Sequence, residues 1–264
     1  MNTGTNQAAR RPTPQQLREI MGHALGKVAE IIAAHWASTT FDEIQALLQG
    51  GGCDFREAIA RQLTPIFATS DDDSHRAQRA LWEKYYREHF GMTVDLSQIR
   101  VPAKPTVGKW RLLAIAGGLT MNHAAECYHT VIRAHDARWT LWQYAPDFDA
   151  VVTRNERTSA VSYFVWVRDG VEPDAEYLGK AAHDADPELL IGETLLERLV
   201  HGAIHLVETK KHLDEKGWTQ CTGSRPADGS VPCVYADSGR REVRVGWCGV
   251  RDADPRGGLR QVVS

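Results

Sequence analysis

The chain has 264 residues, enough for two modest domains or one large one. Hydrophobic residues make up 42% and charged residues 25%, the balance of a soluble globular protein, and no apolar run approaches the roughly 20 residues needed to cross a bilayer. A formal charge of −3 argues against a protein that coats nucleic acid, which needs an excess of lysine and arginine.

The N-terminus, MNTGTNQAARRPTPQQ, lacks the apolar core of a secretion signal, so residues 1–12 read as a disordered leader and the expected compartment is cytoplasmic. Residues 13–100 read as a helical region. Thr13, Pro14 and Gln16 make a helix start, and Leu17, Ile20, Met21, Leu25, Val28, Ile31 and Ile32 then recur at helical spacing. That stripe needs a partner, and pairing of two chains through it is one expected role. Thr40 with Glu43 opens a second helix, broken by Gly50-Gly51-Gly52, and Asp54 begins a third through about Phe67. The latter two have a faint helix-turn-helix look, against which Asp54, Glu57 and the overall negative charge weigh. The acidic entry Asp71-Asp72-Asp73 leads into a further helix, ALWEKYYREHF.

Pro102, Pro105 and Gly108 mark a boundary, and residues 101–218 read as an α+β core. Trp110 to Ala116 is a strand-length apolar run, and Thr120 caps a helix to about His135. Arg138 to Tyr144 reads as a short strand, and Val161 to Val167 as an internal one, apolar on both faces. Thr194 with Glu197 forms a capping box for a helix that should run to about His212.

Residues 219–264 read as a β-rich module. From Cys221 onward the chain is rich in Gly, Arg and Asp and has no lysine. Val231–Ala236 and Arg241–Cys248 flank Asp237-Ser238-Gly239-Arg240 as a hairpin, with Val243, Val245 and Trp247 alternating against Glu242, Arg244 and Gly246.

Two groups of residues carry possible chemistry. On the 194–212 helix, Glu197, His201, His205, Glu208 and His212 fall at steps of four, four, three and four. His201 and His205 form an i,i+4 pair, which with Glu197 or Glu208 suits zinc or another divalent metal and a metal-dependent hydrolase. However, Leu196, Leu199, Ala203 and Leu206 supply the opposite apolar face, so the stripe is expected to be the solvated side. His123, Cys127, His129 and His135 crowd another helix without sharing one face. The second group is the tail, whose seven arginines accompany Tyr235 and Trp247, residue types that make binding hot spots. The five cysteines match no zinc-knuckle spacing and read as free thiols, with Cys233 and Cys248 placed as neighbours across a sheet.

Four stretches, VDLSQIRVPAK, TRNERTSAVSYFVWVRDGVEPDAE, ETLLERL with KKHLDEKGWTQCTGSRPADGSVP, and LRQVVS, resemble an uncharacterised bacterial protein family of candidate-phylum type. In that family a fixed frame at the chain end holds irregular positions. The layout is similar to the variable proteins of diversity-generating retroelements, which display mutagenised positions on a C-type-lectin-like fold. The resemblance makes Gly223, Ser224, Arg225, Asp228, Gly229, Val231, Pro232, Trp247, Leu259 and Arg260 frame residues, and Ala227, Cys233, Tyr235, Asp237, Arg251 and Asp252 display positions.

The leading expectation is a non-catalytic binding protein without a cofactor. Its C-terminal segment would meet a protein or small-molecule ligand through Tyr235, Asp237, Arg244, Trp247, Arg251 and Asp252. Neither a membrane nor nucleic acid is an expected partner.

Overall fold

A computed structural model describes residues 73–186 and 191–264, all within one unit of the chain, Ile59–Ser264. The helices expected over 13–67, with the helix-turn-helix and assembly roles placed on them, lie outside the described residues. No described helix is long and apolar enough to cross a membrane.

The first described helix, α1 (Asp73–His89), places Trp82 and Tyr86 one turn apart on its inner face, and buried Phe90 follows one turn later. Its anchor is the Tyr86 hydroxyl, which donates to the Ala114 carbonyl at 2.7 Å and accepts from the Ala116 amide at 2.9 Å. Those backbone groups sit in and just beyond strand β1 (Trp110–Ile115). Helix α2 (Met121–His135) starts where expected: the Thr120 hydroxyl accepts from the His123 amide at 3.1 Å. Ala124, Ala125, Tyr128, Val131 and Ile132 form its buried stripe.

Strand β2 (Thr140–Gln143), the single turn α3 (Phe148–Val151), strands β3 (Val152–Asn155) and β4 (Tyr163–Arg168), and the turn α4 (Ala182–Ala185) follow. The apolar-on-both-faces reading of the 161–167 run holds, because β4 is the middle strand of a sheet ordered β1-β4-β10.

Helix α5 (Leu195–Thr209) is the centre of the molecule. Its capping box is complete, with Thr194 accepting from the Glu197 amide and Glu197 accepting from the Thr194 amide at 2.8 Å. The helix stops at Lys210, which adopts φ 60°, so His212 falls beyond its end rather than on it. Every residue from Leu195 to Leu206 is buried, and the helix touches α2, β1 and β7. Gly202 lets α2 approach: a Cβ there would lie 2.7 Å from the Tyr128 hydroxyl and 2.8 Å from its ring.

The remaining strands are β5 (Trp218–Gln220), β6 (Ser224–Pro226), β7 (Val231–Asp237), β8 (Glu242–Cys248), β9 (Gly257–Gly258) and β10 (Val262–Val263). The hairpin is where expected, with Val234 opposite Val245 and Tyr235 opposite Arg244. The separation of a 101–218 core from a 219–264 module is not observed, since that boundary falls inside β5. Strand β8 pairs in parallel with β2, β6 pairs with β3, and β10 closes the sheet of β1 and β4. The physical reason is that a hairpin alone hides too little surface to stand in water, so the tail strands find upstream partners. The result is an α+β fold, with a second, five-stranded sheet ordered β2-β8-β7-β5-β9.

The first turn of α5 and the loop that follows the helix are tied to the tail by a fully buried ion triad of Arg198, Asp214 and Arg260. Asp214 accepts from Arg198 at 2.7 Å, from Thr219 at 2.7 Å, and from Arg260 through its other oxygen. Replacing Asp214 with Asn keeps the shape and tolerates the φ of 60° at this position, yet leaves two buried guanidiniums without a counter-ion. We expect a loss of about 3–5 kcal/mol in urea unfolding, and a loss below about 1 kcal/mol would contradict the assignment. Gly202→Ala is expected to cost about 1–3 kcal/mol by forcing α2 and α5 apart, read as a lower Tm.

Candidate functional site

The expectation that the helical stripe is solvated is overturned. Glu197 and His201 are fully buried, His205 and His212 nearly so, and only Glu208 reaches the surface. The reason is that α5 is covered on every side, so its polar stripe meets protein rather than water.

Each member of the stripe has a separate environment. The Glu197 carboxylate is held by Arg157 at 2.7 and 2.9 Å and accepts from the Tyr163 hydroxyl at 2.9 Å. Glu208 pairs with Arg111 and accepts from the Tyr85 hydroxyl at 2.8 Å. His212 stacks on Trp139 with ring centres 4.1 Å apart. The His201 and His205 rings stand nearly perpendicular with centres 6.3 Å apart. Among the described residues no group of three or more His, Cys, Asp or Glu side chains is arranged to hold a metal ion. His123, Cys127, His129 and His135 do not converge either: His129 contacts Thr140 at 3.2 Å, while His135 lies edge-on to His212.

Burial sets the protonation of this interior. His205 and His212 are pushed down to about 4 and His201 well below its ordinary value, each mainly by burial, so all three imidazoles are neutral near pH 7. Glu193, also fully buried, is pushed up to about 8 by burial, against the pull of Arg198 and Arg260. It therefore meets His201 Nδ1, 2.8 Å away, as a neutral acid sharing one proton with a neutral ring.

A second locus is an open cleft. The outer face of the five-stranded sheet carries Trp218 on β5, Cys233 and Tyr235 on β7, and Arg244 on β8. Register sets Trp218 and Tyr235 side by side, with ring centres 6.5 Å apart and tilted 50°. A cavity of about 610 Å³ lies here, bordered by Trp218, Tyr235, Cys233, Cys248, Trp247 and the loop Asp237–Gly239. Glu215, Lys216 and Arg256 add charge of both signs at its border. The Arg256 guanidinium lies 5.0 Å over the Trp218 ring. The Trp218 indole nitrogen is buried and has no hydrogen-bond partner.

Of the six residues expected to meet a ligand, Tyr235, Asp237 and Trp247 border this cleft and the others do not. Trp247 sits opposite Pro232 on the inner face, and its ring packs edge-on against Tyr144 and Phe148. Arg244 covers the Trp142 ring at 3.9 Å and pairs with Glu242 at 2.6 Å. Asp252 closes its own turn by accepting from the Gly249 amide at 2.7 Å, and Arg251 is exposed beside it. Sequence reasoning missed Trp218 because β5 is three residues long, too short to show a period, and Lys216 and Arg256 because they lie in turns on either side of that pairing.

No family model, curated protein or solved structure matches this chain.

Glu193 generates a pH signature. Its folded value lies above its unfolded one, so between about 4.5 and 8 the folded state holds a proton that the unfolded state has lost, and stability falls as pH rises. The depressed histidines act in the opposite sense, but only below about pH 6.5. Between pH 6.5 and 8 the Glu193 contribution therefore stands clear of theirs. Glu193→Gln mimics the neutral acid, and urea titrations across that window should show the variant losing less stability per pH unit than the wild type. Equal slopes would refute a neutral Glu193.

Proposed function

We propose that the chain is a non-catalytic binding protein that takes its ligand in the cleft on the outer face of β5, β7 and β8. The observation that carries this reading is the cleft itself. Its volume of about 610 Å³ falls in the range of small-molecule and short-peptide sites, and its aromatic pair stands beside charges of both signs. Tyrosine, tryptophan and arginine are the side chains that most often dominate binding energy.

The split between buried and exposed tail positions favours the same reading. Gly223, Ser224, Arg225, Val231, Pro232, Leu259 and Arg260 are buried, whereas Ala227, Arg251 and Asp252 are exposed and Tyr235 and Asp237 are half-buried. Cys233 is a buried display position, while of the frame Trp247 is half-buried and Asp228 and Gly229 form an exposed turn. A frame that packs and positions that display is the arrangement expected of a C-type-lectin-like binding surface, which is the finer form of this proposal. The metal-dependent hydrolase lacks comparable support, because Glu197 and Glu208 are already committed to Arg157 and Arg111.

The test is a screen of metabolites and short peptides read by tryptophan fluorescence and thermal shift. Ligands of the cleft should bind Tyr235→Ala about five- to 150-fold more weakly, from a loss of about 1–3 kcal/mol, with Arg251→Ala unaffected. Ligands that bind Tyr235→Ala and Trp218→Phe as tightly as the wild type would rule the cleft out.

A further inference from the structure

The inner end of the cleft holds a pair of thiols. Cys233 in β7 and Cys248 at the end of β8 both border the same cavity, so solvent reaches them from one side. Register sets Cys233 opposite Gly246 and Cys248 opposite Val231, which makes the cysteines diagonal neighbours on one face of the hairpin. Gly246 leaves the space between them open: a Cβ there would lie 3.6 Å from the Cys233 sulfur, so any larger side chain would wedge into it. The Cys248 thiol points back across the hairpin and donates to the Val231 carbonyl at 3.5 Å.

The other described cysteines lack this setting. Cys221 is fully buried, and Cys127 sits alone on α2 with its thiol pushed up by burial. Cys248 is the more exposed of the pair; a hydrogen bond from Cys233, helped by the Arg225 guanidinium, holds its thiol below the ordinary value against burial and Asp252, while the same bond and burial push the Cys233 thiol up. A lowered thiol that is partly exposed, beside a second thiol, has the environment of an attacking cysteine with its resolving partner.

We propose that Cys248 and Cys233 form a dithiol site that undergoes exchange with low-molecular-weight disulfides entering the cleft. The Cys248 thiolate attacks one sulfur of the small disulfide. The S–S bond breaks, one small thiolate leaves and takes up a proton, and the other half remains on Cys248 as a mixed disulfide. Cys233 then gives its proton to solvent and attacks the Cys248 sulfur, expelling the second small thiol. The protein ends with a Cys233–Cys248 disulfide, having lost two electrons and two protons to the small disulfide, which is reduced to two thiols. Closing the bridge needs β8 to lean towards β7, and Cys248 is the last residue of its strand, where the ladder pairing ends.

The test treats the reduced full-length protein with glutathione disulfide and follows it by intact-mass and disulfide-mapping mass spectrometry. Trypsin cuts at Arg240, Arg241 and Arg244, between the two cysteines, so a bridge joins two otherwise separate peptides; Cys221 shares the Cys233 peptide because Pro226 follows Arg225, so fragmentation of the linked pair assigns the bridge to Cys233. The wild-type chain should end with those peptides linked and no glutathione retained on either cysteine. Cys233→Ser should stop at a mixed disulfide on Cys248, and Cys248→Ser should slow reaction at residue 233 at least about tenfold. Glutathione retained on Cys248 of the wild type overturns the proposal. So does a Cys233→Ser protein with a wild-type circular dichroism spectrum that stays unmodified at Cys248. The readout is independent of the ligand screen: a cleft that binds nothing in the screen still closes its disulfide if the thiol pair is as described.

Discussion

The fold depends on one carboxylate shared by two buried arginines. Arg198 comes from α5, Asp214 from the loop after it, and Arg260 from four residues before the chain end, and all three side chains are shut away from solvent. The remaining donors of Arg260 reach Thr219 and the carbonyls of Gly170 and Val171, so one guanidinium ties together β5, the loop after β4 and the tail. Asp214 adds its own backbone, donating to Val171 and accepting from Ala236 in β7. A pair of this kind contributes little net stability over an apolar replacement, because both charges have left water. Its effect is on uniqueness: a shifted register of β5, β7 or β10 would leave a buried charge alone.

The same enclosure explains the chemistry of α5. Through Leu206 the helix is covered on all sides, so His201 and His205 are neutral, Glu197 is ion-paired with Arg157, and burial holds Glu193, just before the cap, as the neutral acid. The residues that the spacing offered as a metal stripe meet Arg157, Glu193, Arg111 and Trp139 inside the fold. The open chemistry moves to the outer face of the five-stranded sheet, where the pleat turns Trp218, Tyr235 and Cys233 away from the core.

Much of the local structure was legible in the residues. The capped starts of α2 and α5, the apolar runs of β1 and β4 and the β7–β8 hairpin follow from cap chemistry, run length and alternation, all of which are local. The alternation of Val243 and Val245 with Arg244 also located the two faces of β8 correctly. The candidate site was legible only in part. Tyr235 could be picked as a hot-spot residue type on a recognisable strand and Asp237 only as a display position implied by the resemblance, while Trp218 and Arg256 lie in segments too short or irregular to carry a period.

What the sequence determined by itself is therefore the longer elements (α1, α2, α5, β1, β2 and β4), the α+β class and the hairpin that carries half of the cleft. Tertiary structure alone decided which helix face is wet, which strands pair across the chain, and which side chains border the cavity. The physical reason is that periodicity reports two unlike faces of an element without saying what covers either one. The polar stripe of α5 was sound as a pattern and wrong as a surface, because Arg157 and Tyr163 arrive from elsewhere in the chain onto Glu197, and Glu193 folds back from just before the helix onto His201.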